Sequence, residues 1–230
     1  MAHQPPAAQP THQHEHDGDH GVHWHQGSPG YFDESARTWD TPDKIERSRL
    51  IAEAVLEAVP VEDTWTVLDY GCGTGQLAWH LGPRVSHVTL ADVSEGMLEV
   101  AREGATRDPG RYEVVHHDLT VAPLPRLVHL AVSAMALHHV ADTDAALRNL
   151  HASLLPGGWV AIADLDADPE NHFHDDGFDG HLGFDRHELL GELGRLGFTD
   201  LAERTASSFT KEKNGQTHRH QVFLVTGRRS

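Results

Sequence analysis

The sequence predicts an α/β fold in which helices cover both faces of a mostly parallel sheet. Three observations carry that expectation. From Thr64 to Asp164 short apolar runs alternate with amphipathic ones, the pattern of successive strand-helix-strand units. A glycine-rich turn, Gly71-Cys72-Gly73-Thr74-Gly75, joins the first apolar run directly to a helical one, as in doubly wound sheets that bind a ligand at the strand end. The last two apolar runs, Phe198–Arg204 and Gln221–Thr226, read as strands with no helix between them, so they form a terminal antiparallel pair.

Residues 1–30 are set apart by composition. They contain Pro5, Pro6, Pro10, Gly18, Gly21, Gly27, Pro29 and Gly30 and almost no large apolar side chain, too little to offset the entropy of ordering. A disordered tail is expected there, with the folded domain over 31–230. Within the tail His12, His14 and His16 alternate, followed by His20, His23 and His25, and imidazoles at that density bind nickel, copper or zinc weakly.

The domain begins with a helix. Thr41-Pro42-Asp43 is an N-cap followed by proline at the first helical position, and Ile51, Ala54, Val55 and Ala58 repeat on one face. A strand is expected at Thr64–Asp69, a helix at Gln76–Leu81, a strand at Val85–Asp92 and a helix at Ser94–Ala105. Strands follow near Tyr112–His116 and Val128–Ala134, then a helix at Thr143–Leu155 closed by Pro156-Gly157-Gly158, then a strand at Trp159–Asp164. Asp185 and Glu188 stand at capping-box spacing before Leu189, Leu190, Leu193 and Leu196, and Gly197 ends that helix.

Composition narrows the function classes. The 230 residues carry 18 Lys+Arg against 35 Asp+Glu, a formal net charge of −17, which argues against a nucleic-acid or anionic-membrane partner. The 21 His make that charge fall steeply in mild acid. Cys72 is the single cysteine, so no disulfide framework or multi-cysteine metal site exists. The first thirty residues lack the apolar core of a secretion signal, and no run approaches a membrane span; a cytoplasmic protein is expected.

The stretch Val67-Leu68-Asp69-Tyr70-Gly71-Cys72-Gly73-Thr74-Gly75 follows a buried-strand pattern and opens into a helix. Glycines there let the backbone turn sharply and approach a ligand. Gln76 occupies the place of a dinucleotide fingerprint's third glycine, and no Lys-Ser/Thr follows for a phosphate loop. Asp92 ends the next strand 21 residues after Gly71, where a carboxylate can accept bonds from both hydroxyls of a ribose. A plain structural turn, and a surface cap for Asp92, are the alternative readings.

This loop, with A-D-V-S-E-G-M-L after it and A-L-H-H-V-A-D later, resembles the class I S-adenosylmethionine (AdoMet)-dependent methyltransferases of the ubiquinone/menaquinone-methyltransferase-like group, over roughly Tyr31 to Arg228. The resemblance implies a Rossmann-like, seven-stranded sheet whose terminal strand is antiparallel, S-adenosyl-L-methionine as cofactor, and methyl transfer to a small molecule. It implies that Asp69, Gly71, Cys72, Gly73 and Gly75 line the methionine part of the cofactor, that Asp92 holds the ribose, and that Val93 and Met97 flank the adenine. Asp118 would bind the adenine amino group, with Leu119 as an apolar wall. Met97 also suits a core position. Tyr31–Asp40 resembles the family's short lid, with Trp39 at the aromatic position; packing alone would equally explain Trp39.

A sulfonium methyl is a strong electrophile, so holding an acceptor in line supplies much of the rate, and a base is needed only if the acceptor must lose a proton. His138 and His139 are the candidate bases, of which at most one can face the acceptor; a structural role is the alternative. No acidic residue stands at Ser133–Met135, where a catechol-type enzyme places magnesium, and no Asp/Asn-Pro-Pro-Tyr motif is present. The segment Asp168–Arg186 interleaves Phe173, Phe178 and Phe184 with His172, His174, Asp175, Asp176, Asp179, His181 and Asp185, as a cap over the acceptor would. Zinc ligation by that segment and an ordinary solvated surface are the other readings, and no metal ligand is assigned. Two further function classes stay open: a metal-responsive binding protein on the same scaffold, and a nicotinamide oxidoreductase, which Gln76 disfavours.

Overall fold

The structure, a computed structural model, describes residues 27–230; most of the expected tail, its histidine cluster included, lies outside them. The first described helix starts inside the tail's expected limit. Helix α1 (Pro29–Ser35) is capped by Ser28, whose Oγ accepts the Tyr31 N–H. After a 3-10 turn at Ala36–Thr38 comes α2 (Pro42–Ala58), capped by the Thr41 hydroxyl as the sequence predicts.

The alternating pattern then resolves into β1 (Thr66–Tyr70), α3 (Gln76–Leu81), β2 (His87–Asp92), α4 (Glu95–Ala105), β3 (Tyr112–His116), β4 (Val128–Ala134), α5 (Thr143–Ala152), β5 (Leu154–Leu165), α6 (Arg186–Arg195), β6 (Phe198–Lys213) and β7 (Gln216–Arg229). The seven strands lie in the order β3-β2-β1-β4-β5-β7-β6. Strands β1 to β5 pair in parallel, and β7 runs antiparallel to both β5 and β6. The terminal antiparallel pair is thus present, with β7 inserted beside β5. Adjacent residues on a strand feed opposite layers: Val67 packs with Ile51, Leu77, Leu81 and Leu98 on one face, while Leu68 packs with Leu147, Leu150 and Leu193 on the other. Burial on both faces is what a helix-covered parallel sheet requires. Among the described residues no helix is long and apolar enough to cross a membrane.

Several boundaries differ from the sequence reading, two of them by enough to matter. Helix α5 stops at Ala152, not Leu155, because the Ser153 hydroxyl donates back to the Asn149 carbonyl and Leu154 already pairs with Val128; Pro156-Gly157-Gly158 lies within β5. The terminal hairpin is also much longer than the apolar runs. It turns at Asn214-Gly215, both at positive φ, with Lys213 paired to Gln216, a two-residue hairpin turn of the Asn-Gly kind. Its outer half carries polar side chains on both faces, so hydrophobic alternation does not mark it.

Candidate active site

The glycine loop leaves β1 at the centre of the sheet. Gly71 has φ +67°, and a Cβ there would collide with Ala136 beyond β4, so the turn requires glycine. Gly75, at φ +90°, caps α3, and a Cβ would meet the Trp79 ring at 2.5 Å. Met97, almost wholly buried, sets its sulfur against the loop, 4.0 Å from where a Cβ of Gly73 would stand; it therefore serves the core and faces the loop.

Two carboxylates converge here. Asp69 is buried beneath the loop with Oδ2 unpartnered. Burial first, then the charge of Asp92, pushes its carboxyl up to about 7. Asp92 accepts the Gly73 N–H through Oδ2 at 2.8 Å, and the Val93 and Ser94 N–H groups through Oδ1 at 2.8 and 2.9 Å. Burial raises its carboxyl and these three donors oppose the rise. A carboxylate has about four lone-pair sites, so two ribose hydroxyls would share or displace the Gly73 bond. Cys72 is buried with its thiol pKa raised, first by burial and then by Asp92 and Asp69; its side chain belongs to the core and only its backbone lines the loop.

Beside these, Val93 is 38% exposed, an open apolar face next to Asp92. Asp118, after β3, turns inward on its own chain and accepts the Thr120 N–H and hydroxyl at 2.8 and 2.7 Å. Leu119 is fully buried in the layer with Leu68 and Tyr70.

The segment before α2 is latched over this crevice by two aspartates that the sequence reading did not single out. Asp33 Oδ1 accepts the Ser94 hydroxyl at 2.6 Å and the Gly96 N–H at 2.9 Å, docking α1 on the start of α4. Gly96 permits the approach, since a Cβ would lie 2.7 Å from the Asp33 backbone. Asp40 accepts from the Thr74 hydroxyl and the Gln76 amide, both at 2.7 Å. Trp39 lies between, against Phe32 at 5.4 Å and beneath the Lys44 ammonium at 3.2 Å.

At the ends of β4 and β5, His138 and Asp164 form a buried pair, Nδ1 to Oδ1 at 2.6 Å, and the His138 N–H also donates to Oδ2. A carboxylate only accepts, so the Nδ1 proton points to Asp164 and Nε2 is the ring nitrogen turned away from it. Asp166 is instead held by Arg186, Nε and Nη2 at 2.6 and 2.7 Å. His139 points elsewhere, against Phe32 at 5.0 Å and Phe178 at 5.4 Å. Burial and the neighbouring imidazoles of His138 and His174 push it down to about 2, leaving it neutral and weakly basic.

His174, from the 168–186 segment, stacks on Phe178 at 3.6 Å, and burial holds it down to about 3. Neither of its ring nitrogens has a partner. That segment does cover His138 and His139, as a cap would. Among the described residues no three His, Cys, Asp or Glu side chains are grouped to hold a metal ion. A surface cavity of about 240 Å³, lined by Glu170, His172, Asp176, Lys213 and His218, lies between the cap and the hairpin, away from the glycine loop.

Comparison with known proteins gives the same direction. Residues 67–158 match a family model described as a methyltransferase domain. An uncharacterized methyltransferase of Mycobacterium tuberculosis is 38% identical over 111 residues, 48% of this chain and 55% of the relative. A demethylmenaquinone methyltransferase of Clavibacter sepedonicus is 32% identical over 142 residues, 60% of this chain and 58% of the relative. The matches thus span a little over half the length of these curated relatives. In fold, the N-methyltransferase NodS from Bradyrhizobium japonicum, solved with S-adenosylhomocysteine, matches with a TM-score of 0.63 at 17% identity, covering 87% of this chain and 97% of that one. Residues 67–158 thus resemble a methyltransferase domain, and the sheet as a whole has the fold of the solved methyltransferase it matches.

Proposed function

We propose that this protein is an enzyme that transfers a methyl group from S-adenosylmethionine to a small-molecule acceptor held at the ends of β4 and β5. The observation that carries the reading is the crevice floor: Asp69, buried with an unpartnered oxygen, beside glycines at positive φ and the Asp92 carboxylate. A cationic ligand fits that orphaned acceptor, because an unpaired buried carboxylate oxygen is costly. Asp69 and the Gly71–Gly75 backbone would hold the methionine part, Asp92 the ribose, Val93 and Met97 the adenine with Asp118 at its rim, and Trp39 would cover it from the lid. Leu119 supports this wall from within the core. When bound, the cofactor supplies an electrophilic methyl.

The chain's own residues then have three tasks. The latched lid and the aromatic cap exclude water, and the crevice fixes the acceptor at near-attack distance. His138, oriented by Asp164, takes the proton of an acceptor that must lose one. His139 is a neutral wall. The reading is tested by incubating the protein with isotopically labelled AdoMet and a metabolite extract: label should enter a small molecule, with S-adenosylhomocysteine formed in equal amount. Absence of both from a protein that binds AdoMet would contradict it. Location in the cytoplasm and weak metal binding by residues 1–26 belong to the same proposal, supported by composition alone.

A further inference from the structure

Two runs of side-chain contacts meet at His139, beside the ends of β4 and β5. His139 contacts Phe32 at 5.0 Å, Phe32 contacts Trp39 at 5.4 Å, and the Lys44 ammonium sits over Trp39 at 3.2 Å. One helical turn on, the Arg47 guanidinium lies 4.4 Å over Phe209, which contacts Phe173 at 5.6 Å. Lys211 lies 4.9 Å over Phe173 and donates to its carbonyl at 2.6 Å, and Phe173 reaches His174, which faces His139 and joins the two runs.

Three cations therefore meet at one opening in a chain whose formal charge is −17. They lie close enough that Arg47 and Lys211 both depress the ammonium of Lys44, which burial chiefly lowers to about 8. Asp40 favours the charge of Lys44 and Asp43 that of Arg47; Asp40 already accepts from Thr74 and Gln76, and Asp43 is exposed in the first turn of α2. Among the described residues neither Lys44 nor Arg47 has a salt-bridge partner. All three are half-buried, and bringing positive charges together in reduced solvent is unfavourable, so an anion placed among them would be held by all three.

We infer that Lys44, Arg47 and Lys211 form a subsite for an anionic group, carboxylate or phosphate, on the acceptor, whose apolar body lies along Phe173 and Phe209. A guanidinium and two ammoniums suit either oxyanion, and the ring faces hold the cations in place without neutralising them. Their role is to select and orient the acceptor, while methyl transfer falls to the crevice. The inference rests on the proposed function only in calling this ligand the acceptor.

Calorimetric titration of the full-length protein saturated with S-adenosylhomocysteine tests it, using benzoate, phenyl phosphate and neutral benzamide as probes. At least one anion should bind about tenfold or more tightly than benzamide, and Arg47→Met should abolish that margin. Which anion wins separates carboxylate from phosphate. Lys44→Met, at a more peripheral site, gives the same readout if the Arg47 variant folds poorly, and S-adenosylhomocysteine affinity reports the fold of each. Benzamide binding as tightly as the anions, or anion affinity unchanged in both variants, would overturn the inference. Wild-type protein that binds an anion with this selectivity but does not bind S-adenosylhomocysteine would support the subsite and contradict the methyltransferase reading instead.

Discussion

The Thr74 hydroxyl donates to Asp40 Oδ1 at 2.7 Å, so the lid is tied to the glycine loop itself. Asp40→Ala removes the acceptor of this bond and of the Gln76 bond. At a net value of about 1 kcal/mol per bond, and so about 2 kcal/mol for the two, S-adenosylhomocysteine affinity should fall by up to about thirtyfold by calorimetry. Unchanged affinity would show that the latch does not serve the cofactor.

Asp69 should make the ligand-free fold less stable as pH rises. Its carboxyl titrates near 3.8 in the unfolded chain and at about 7 in the folded one, so between these values only the folded chain holds the proton. Stability on this account is greatest below about pH 4, falls through that window and is level above 7, by on the order of 2–4 kcal/mol. Thermal melts from pH 5 to 8 should show a flatter profile for Asp69→Asn than for the wild type. Parallel profiles would remove Asp69 as the source.

His139 and His174 act in the opposite sense. Both lie well below 6.5 in the folded chain, at about 2 and about 3, so acid protonates them in the unfolded chain first. Their contribution is complete above 6.5 and is lost below it, by up to about 1.4 kcal/mol per pH unit for each. His139→Asn should lose stability less steeply between pH 6.5 and 5. Neither group titrates in the neutral range, so an alkaline rise in methyl-transfer rate near neutrality that survived His138→Gln would require a different base. Asp164→Asn should lower turnover of a proton-losing acceptor by about 10²-fold or more while leaving S-adenosylhomocysteine affinity unchanged.

How much of this was legible in the sequence varies by element. Strands β3 and β4 and helix α3 follow from apolar runs with sharp punctuation, and their bounds are as read. Asp69, Gly71, Gly73, Asp92 and Met97 do converge, because the strand-to-helix turn and the end of β2 are adjacent in any such sheet. The His138–Asp164 pair spans 26 residues and depends on the β4–β5 register, which no local spacing encodes. The latches of Asp33 and Asp40 reach 61 and 34 residues along the chain. Both lie in the recognised lid segment, but a carboxylate there reads as surface until its partner is seen. The cations at the crevice mouth come from α2 and from the polar outer half of β6, a strand whose extent only the Asn214-Gly215 turn signalled.

Deletion of residues 1–26 should leave melting temperature and S-adenosylhomocysteine affinity nearly unchanged, since that composition offers little to bury. Deletion of 1–28 should cost more. It removes the Ser28 cap of α1, worth about 0.5–2 kcal/mol, and Gly27, packed against His139 and Phe178. Equal effects of the two deletions would show that α1 does not depend on its cap.

The central claim is tested most directly by calorimetric titration of metal-stripped protein, wild type and Asp92→Ala, with AdoMet, S-adenosylhomocysteine, a nicotinamide dinucleotide and zinc. Saturable one-to-one binding of AdoMet and S-adenosylhomocysteine is expected, with no binding of the nicotinamide dinucleotide. In a folded Asp92→Ala protein both affinities should weaken by about 1.5–3 kcal/mol, the value of bonds to a charged acceptor. Binding of the nicotinamide dinucleotide in place of AdoMet, or an Asp92→Ala variant with undiminished AdoMet affinity, would contradict the account.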